Sequence, residues 1–167
     1  NNTPSIGLPV SGIGDISTFT AINTGSTPVT ATVTVYPSFG AGGSFAYITS
    51  TYDDNVSVIN TTSNSVIATI AVGNYPIGAS VTPDGSKVYV ANTDSDDVSV
   101  INTATNTVTA TIAVGNGTAG ISVSPDGTKV VSGSDDGTAR LWNVADGNPI
   151  GTFAGPYHVY SAEFSRD

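Results

Sequence analysis

Two blocks of this chain recur at a spacing of 42 residues without a gap. The sequence VSVIN at residues 56–60 returns at residues 98–102, and TIAVGN at residues 69–74 returns at residues 111–116. A period of this length is typical of small structural modules that stack side by side, because one such module cannot bury its own apolar face. The repeat therefore constrains the fold more strongly than any other feature of the chain.

Each repeat consists of short stretches in which apolar and polar residues alternate. Residues 107–114 are the clearest case, with Val108, Ile112 and Val114 on one face of a predicted strand. Turn signals separate the stretches, among them Pro-Asp-Gly at residues 125–127. The chain is therefore predicted to be all-β, as a β-propeller built from four-stranded repeats of about 42 residues.

The repeats also predict the domain organisation. Three propeller repeats are clear, at residues 43–84, 85–126 and 127–167. Residues 1–42 form a β-rich segment that is predicted to contain a partial N-terminal blade. This prediction depends on residues 22–35, which align without a gap on residues 101–114 of the second repeat.

The number of blades has a structural consequence. Propellers usually close with four to eight blades, so three blades leave two open flanks. A predicted last strand at residues 159–165 would close a small ring if it completed the first blade. Otherwise the exposed strand edges must pair with another chain. The sequence therefore predicts either a very small ring or an assembling subunit.

The chain is acidic and carries few charges overall. Its 167 residues include 13 Asp and Glu but only 4 Lys and Arg, which gives a formal net charge of −9. Nucleic-acid binding is disfavoured, because proteins neutralise phosphates with Lys and Arg. Membrane insertion is disfavoured as well, since no stretch approaches the roughly 18 apolar residues that span a bilayer. The expected partners are other copies of the chain or other proteins, contacted through strand edges or the propeller rim.

Two repeats carry a recognisable set of motifs. Residues 83–92 read PDGSKVYVAN, residues 98–102 read VSVIN, and residues 111–115 read TIAVG. These segments resemble the YVTN family of β-propeller repeats, which occurs in surface-layer and other exported archaeal and bacterial proteins. The resemblance covers about residues 43–131, and it implies an extracellular or cell-surface location.

The last repeat resembles a different propeller family, the WD40 repeats. The resemblance lies in SGSDDGTARLWNV at residues 132–144 and AEFSRD at residues 162–167. Two positions depart from the WD40 pattern: Asn143 stands where the family prefers Asp, and Pro156 stands where its His would be, with His158 two residues later.

The WD40 resemblance also implies a hydrogen-bond network of Asp, His, Ser and Trp. That network would map onto Asp135, Trp142 and either Ser132 or Ser134. The position of its His is open, because the histidine of this chain is displaced from the family's place.

No pattern of catalytic residues is present. His158 is the single His of the chain, and no nucleophile motif accompanies it. The chain has no Cys, so a zinc site of Cys and His ligands is excluded. The sequence therefore predicts that the protein is not an enzyme.

Acidic turns are the remaining candidates for a binding site. They recur at the same place in three successive repeats, and oxygen ligands on neighbouring turns suit Ca²⁺. The candidate calcium ligands are Asp54, Asp94, Asp96, Asp97, Asp135 and Asp136. Asp and Asn also favour such turns by hydrogen-bonding to their own backbone, and no complete calcium-loop motif is present. Both roles are open, and no other cofactor is expected.

These observations are compatible with three alternative functions. The first is a non-catalytic extracellular or cell-surface β-propeller with a structural or binding role, including a self-assembling subunit of a filament or surface layer. The alternative is an intracellular WD40-type interaction scaffold or an engineered propeller hybrid. The third is a hydrolase or lactonase with a metal at its rim, which only the acidic turns favour.

Overall fold

A computed structural model describes residues 45–165, and this range contains eleven β-strands and no helix. The strands are β1 Phe45–Ser50, β2 Asn55–Asn60, β3 Ser65–Ala71, β4 Pro76–Val81, β5 Lys87–Asn92, β6 Asp97–Asn102, β7 Thr107–Ala113, β8 Thr118–Val123, β9 Lys129–Ser134, β10 Thr138–Asn143 and β11 Pro149–Ala154. A helix long and apolar enough to cross a bilayer is accordingly absent from this range. The predicted partial N-terminal blade lies outside the described residues.

The strands form three antiparallel sheets, which are the blades of a β-propeller. Blade 1 has the order β1-β2-β3, blade 2 the order β4-β5-β6-β7, and blade 3 the order β8-β9-β10-β11. Neighbouring strands within each blade are joined by short turns, as the alternating pattern and its turn signals require. The all-β propeller predicted from the 42-residue repeat is therefore confirmed.

The boundaries of the blades differ from those of the sequence repeats by one strand. β8 lies inside the repeat at residues 85–126, yet it is hydrogen-bonded to β9 of blade 3. β4 likewise ends the preceding repeat and pairs with β5 of blade 2. Each of the first two repeats thus supplies three strands to one blade and the inner strand to the next, so that the chain itself ties neighbouring blades together.

Both faces of blade 2 are buried against its neighbours. Val88, Val90 and Ile101 are fully buried in a cluster with Val56 and Val58 of blade 1. On the opposite face, three buried residues meet two from blade 3; the five are Tyr89, Val98, Val100, Val130 and Trp142. Complete burial of each Val or Ile side chain contributes roughly 1.5–3 kcal/mol, so these two clusters hold the blades together.

Glycine allows the inner strands of adjacent blades to approach each other closely. A Cβ atom on Gly78 of β4 would lie 2.4 Å from the backbone oxygen of Ala119 in β8. No Cβ occurs at such a distance, and the obstacle is backbone rather than a flexible side chain. Gly120 of β8 repeats this arrangement, because its Cβ would lie 2.7 Å from the backbone oxygen of Tyr160.

The predicted strand at residues 159–165 is wrong. These residues form no strand, although the backbone N–H of Val159 donates to the carbonyl of Ser134 at 3.0 Å. The segment passes Gly120 of β8 as β8 passes Gly78 of β4, so it lies where the inner strand of a following blade would lie. A strand requires a hydrogen-bonded neighbour, and none is present for this segment among residues 45–165.

Candidate interaction surfaces

The acidic turns occupy equivalent positions in the three blades. They connect β1 to β2, β5 to β6, and β9 to β10, and they form the acidic rim, defined here as residues 51–54, 93–96 and 135–137. Asp54 and Asp96 have positive φ angles of 52° and 55°, which Asp tolerates better than most residues. Gly137, with a φ of 80°, takes the same place in the third turn.

Asp54 and Asp96 fasten each turn to the loop that leads to the next blade. The Asp54 carboxylate accepts a hydrogen bond from the backbone N–H of Tyr75 at 2.9 Å. The Asp96 carboxylate accepts one from the N–H of Gly117 at 2.8 Å, which is the same contact one repeat later. Charged acceptors make strong hydrogen bonds, so the two carboxylates act as structural clamps between turn and loop.

The other candidate ligands have separate partners. The Asp97 carboxylate accepts a 2.6 Å hydrogen bond from the side chain of the buried Asn92. Asp136 forms a 2.8 Å ion pair with Arg140, and the backbone oxygen of Asp135 is hydrogen-bonded to Nδ1 of His158. The remaining candidate, Asp94, is exposed in its turn.

These contacts bear on the predicted calcium site. Within residues 45–165, no three acidic or histidine side chains converge into a group that could hold a metal ion. The carboxylates of Asp54, Asp96 and Asp97 are directed to N–H donors instead. These contacts give the three carboxylates a structural role, but not the predicted one of bonding their own backbone in the turn. Calcium binding stays a prediction.

Removing the Asp96 clamp should destabilise the protein. We expect Asp96→Gly to lower the free energy of unfolding by about 1–2 kcal/mol, because the N–H of Gly117 loses a charged acceptor. Glycine tolerates the positive φ, so backbone strain does not add to the effect. Urea unfolding would measure the loss, with Asp94→Gly in the same turn as the control. Equal effects of the two changes would contradict the clamp.

A second set of aspartates lies at the opposite ends of the strands, in Pro-Asp-Gly turns. Side-chain hydrogen bonds from Ser124, then backbone and side-chain hydrogen bonds from Thr128, hold the pKa of Asp126 well below its usual range. Thr82 and then Ser86 lower the pKa of Asp84 in the same way. From the sequence, these turns were predictable only as hairpins.

These lowered pKa values predict acid sensitivity. A carboxylate whose pKa is depressed in the folded state stabilises the protein above its unfolded pKa of about 3.9, and this stabilisation is lost as the pH falls further. We expect the free energy of unfolding to decrease between about pH 4 and pH 2. The double variant Asp84→Asn/Asp126→Asn should show a shallower decrease in urea unfolding, whereas Asp94→Asn should follow the unmodified protein. A double variant with an unchanged slope would count against this assignment.

Part of the hydrogen-bond network implied by the WD40 resemblance is present. The indole Nε1 of Trp142 donates to Oγ of Ser132 at 3.0 Å, and both residues are buried. His158 does not join this pair. It lies at the acidic rim, where its Nδ1 is 3.9 Å from a carboxylate oxygen of Asp135. The Ser132–Trp142 hydrogen bond of the implied network is therefore present, whereas His158 and Asp135 lie together elsewhere, at the acidic rim.

The outer faces of blades 1 and 3, called flank 1 and flank 3, carry apolar side chains, of which some are exposed and the others half-buried. Flank 1 consists of Ala46, Ile48, Ile59 and Val66, and flank 3 of Val131, Ala139, Leu141 and Phe153. Ile48 is 51% exposed, whereas its counterpart Val90 in blade 2 is 0% exposed. Phe153 is 62% exposed. The sequence left open whether the blades close into a small ring or keep two open flanks, and it did not identify the flank residues. The 42-residue spacing from buried positions could have identified those of flank 1.

Two solved structures of other proteins are similar to this chain. Hydrazine synthase from Kuenenia stuttgartiensis matches with a TM-score of 0.71 at 25% identity, over 75% of this chain and 37% of that chain. The dihydro-heme d1 dehydrogenase NirN, in complex with DHE, matches with a TM-score of 0.63 at 22% identity, over 78% of this chain and 31% of that chain. This chain therefore spans about a third of the length of each protein.

No curated protein sequence matches this one. A family match does exist at the level of sequence, and it extends over residues 16–144, well over half of the chain. It agrees with the 42-residue repeats, the antiparallel blades and their buried contacts. The chain belongs to the YNCE-like beta-propeller family.

Proposed function

We propose that the protein is a non-catalytic structural or binding scaffold, located outside the cell or at its surface, whose copies associate with one another. The observation that carries this proposal is the pair of apolar flanks. Their side chains are of the same kind as those that join blades 1, 2 and 3, but Ile48, Val66 and Phe153 are exposed and the other flank residues are only half-buried. Exposed apolar surfaces of this kind are typical of interaction sites.

The acidic rim supports a structural role rather than catalysis. Its clamping carboxylates, Asp54 and Asp96, accept hydrogen bonds from backbone N–H groups. The single His of the chain, His158, is hydrogen-bonded to a backbone oxygen of Asp135, a group that is no nucleophile. The surface location rests on the resemblance of residues 43–131 to exported YVTN repeats, and on nothing in the fold itself.

The similarity to two enzymes is compatible with a non-catalytic role. Hydrazine synthase and the dihydro-heme d1 dehydrogenase are enzymes by name, but this chain spans only 37% and 31% of them. A shared propeller fold hosts many unrelated functions, so their activities do not transfer to this chain.

The self-association of the full chain tests the proposal. We expect light scattering after size-exclusion chromatography to give a mass above the 16.7 kDa of one chain, and electron microscopy to show rings or filaments. A strictly monomeric protein at micromolar concentration would contradict the assembling role. Surface labelling of intact source cells would test the location separately.

One observation favours the alternative, an intracellular scaffold of WD40 type. The buried contact between Trp142 and Ser132 is part of the network that the WD40 resemblance implies. A soluble monomer that captures a defined protein partner on one rim would support this alternative, and an export signal in the precursor would exclude it.

A further inference from the structure

Two tyrosines depart from the sequence repeat and are in contact with each other. Forty-two residues after Tyr52 the chain has Asp94, and 42 residues after Tyr75 it has Gly117. The rings of Tyr52 and Tyr75 meet edge to face, with centroids 5.8 Å apart and an interplanar angle of 88°. This tyrosine pair lies at the acidic rim, and it has no aromatic counterpart at the equivalent positions of the next repeat.

Tyr75 has an unfavourable backbone conformation. Its φ is 55°, in the left-handed region that favours glycine, and the equivalent Gly117 has a φ of 63°. Pro76 follows it, and a residue before proline prefers an extended backbone. Strain of this kind is typical of functional positions, where a side chain contributes something other than stability. Since glycine suffices for the same loop one repeat later, the ring of Tyr75 calls for another explanation.

Packing accounts for little of the tyrosine pair. Tyr52 is 88% exposed, and Tyr75 is half-buried. A packed aromatic residue stabilises a protein through the apolar area that it removes from water, so Tyr52 contributes little in this way. The face of an exposed aromatic ring attracts cations, because the π electrons make it negative.

Carboxylates lie on both sides of the tyrosine pair. Asp53 follows Tyr52 directly, and the carboxylate of Asp54 accepts the hydrogen bond from the N–H of Tyr75 at 2.9 Å. Asp94 belongs to the next turn of the acidic rim. The pKa of Tyr75 is raised by the side chain of Tyr52 and, to a smaller extent, by the charge of Asp94. The tyrosine pair therefore lies between the acidic turns of blades 1 and 2.

The Lys and Arg side chains of residues 45–165 lie away from this part of the acidic rim. Arg140 is paired with an aspartate of blade 3. Lys87 and Lys129 begin β5 and β9, at the strand ends opposite to the acidic turns. Residues 1–44 contain no Lys, Arg or His in their sequence. The surface around the tyrosine pair is therefore complementary to a positively charged partner.

We propose that the tyrosine pair, with the carboxylates beside it, binds an arginine side chain of a basic partner protein. A guanidinium group is planar, so it can stack on an aromatic ring while its N–H groups donate to a carboxylate. Asp94 is the acceptor best suited to this, since it is exposed, whereas Asp54 and Asp96 hold neighbouring loops. The inference rests on the binding role in the proposed function but not on the association of copies. A second copy, with a net charge of −9, is a poor source of the arginine.

Titration of the full chain with a blocked hexa-arginine peptide tests the proposal. We expect calorimetry at low ionic strength to show about 2- to 5-fold weaker binding to Tyr52→Leu, the typical contribution of one exposed cation–π contact. Tyr52→Phe keeps the ring and should bind like the unmodified protein. The control is Tyr157→Leu, since Tyr157 is 81% exposed but has no ring contact among residues 45–165. Equal losses in Tyr52→Leu and Tyr157→Leu would overturn the proposal.

The variant Tyr75→Gly separates binding from stability. Glycine tolerates the positive φ and keeps the N–H that donates to Asp54, as Gly117 does for Asp96. We expect its urea midpoint to be unchanged or higher, because relief of the strain offsets the greater entropy of the unfolded chain. Its binding of hexa-arginine should be about 2- to 5-fold weaker. Undiminished binding would overturn the proposal, and a lowered midpoint beside it would show that the ring serves packing.

A hexa-lysine peptide separates the recognition of arginine from attraction by charge alone. Tyr52→Leu should weaken the binding of hexa-arginine more than that of hexa-lysine, because only the planar guanidinium stacks on a ring. Equal losses with both peptides would overturn the assignment to arginine. If the unmodified full chain, in which residues 1–44 are present, did not bind hexa-arginine, the proposal would be wrong. The association of copies, which is measured by mass, would remain unaffected by that result.

Discussion

Replacement of Trp142 by alanine should lower the free energy of unfolding by about 3–5 kcal/mol, the typical cost of removing a large buried aromatic side chain. Trp142 is 8% exposed and belongs to one buried cluster with Tyr89, Val98 and Val100 of blade 2. The change also removes the indole donor and leaves Oγ of the buried Ser132 without it. The loss falls on the contact that joins blade 3 to blade 2. Urea unfolding followed by circular dichroism is the suitable measurement, because the chain has a single Trp and the variant has none.

Two further variants separate packing from hydrogen bonding at this position. Trp142→Phe keeps much of the apolar contact but loses the donor, so its cost should be clearly smaller than that of Trp142→Ala. Ser132→Ala removes only the acceptor and should cost about 1–3 kcal/mol, since the indole N–H is then buried without a partner. If Trp142→Ala cost no more than Ser132→Ala, the packing of Trp142 between the blades would not be the main stabilising term.

The strands of this fold are predictable because each carries a local signal. The predicted strand at residues 107–114 corresponds to β7 at Thr107–Ala113, where Val108 and Ile112 mark the alternation. The assignment of strands to blades cannot be predicted in this way. A repeat fixes the period of the sequence, but it does not show at which strand one hydrogen-bonded sheet ends and the next begins. β8 shows this: it belongs to one sequence repeat and to the sheet of the next.

The error at residues 159–165 has the same origin. The alternation there is real, as the half-buried Ala162 and Phe164 show, but a strand also needs a partner that the local sequence does not specify. Tertiary context decides such cases.

The positions of the candidate sites could be predicted from the sequence, but the roles of their residues could not. The acidic turns do recur in three blades, as expected from their spacing. That Asp54 and Asp96 accept hydrogen bonds from Tyr75 and Gly117 could not be derived, because each acceptor and its donor lie 21 residues apart in the chain. The calcium role and the surface-layer location remain predictions. Flank residues such as Phe153 can be identified only by comparing the solvent exposure of equivalent positions in the three blades.

Gly78→Ala should cost about 3 kcal/mol, the upper end of the range for overpacking. The added Cβ would lie 2.4 Å from the backbone oxygen of Ala119 and 3.3 Å from a side-chain carbon of Ile121. The first obstacle cannot rotate away, so β4 and β8 must separate, and the blade contacts beside them must loosen. Urea unfolding measures the total cost, and hydrogen exchange at β8 should show faster exchange if the separation is local.

The control for this change is a glycine in a strand with room around it. At Gly151 of β11, the nearest atom to an added Cβ is a ring carbon of Phe153 at 3.8 Å, which is ordinary van der Waals contact. Gly151→Ala should therefore be neutral or stabilise by up to about 1 kcal/mol, because alanine reduces the entropy of the unfolded chain. Similar losses for Gly78→Ala and Gly151→Ala would mean that the approach of β4 to β8 is not what requires glycine. A loss of stability in Gly78→Ala alone would instead show that the blades can stack this closely only because residue 78 has no Cβ atom.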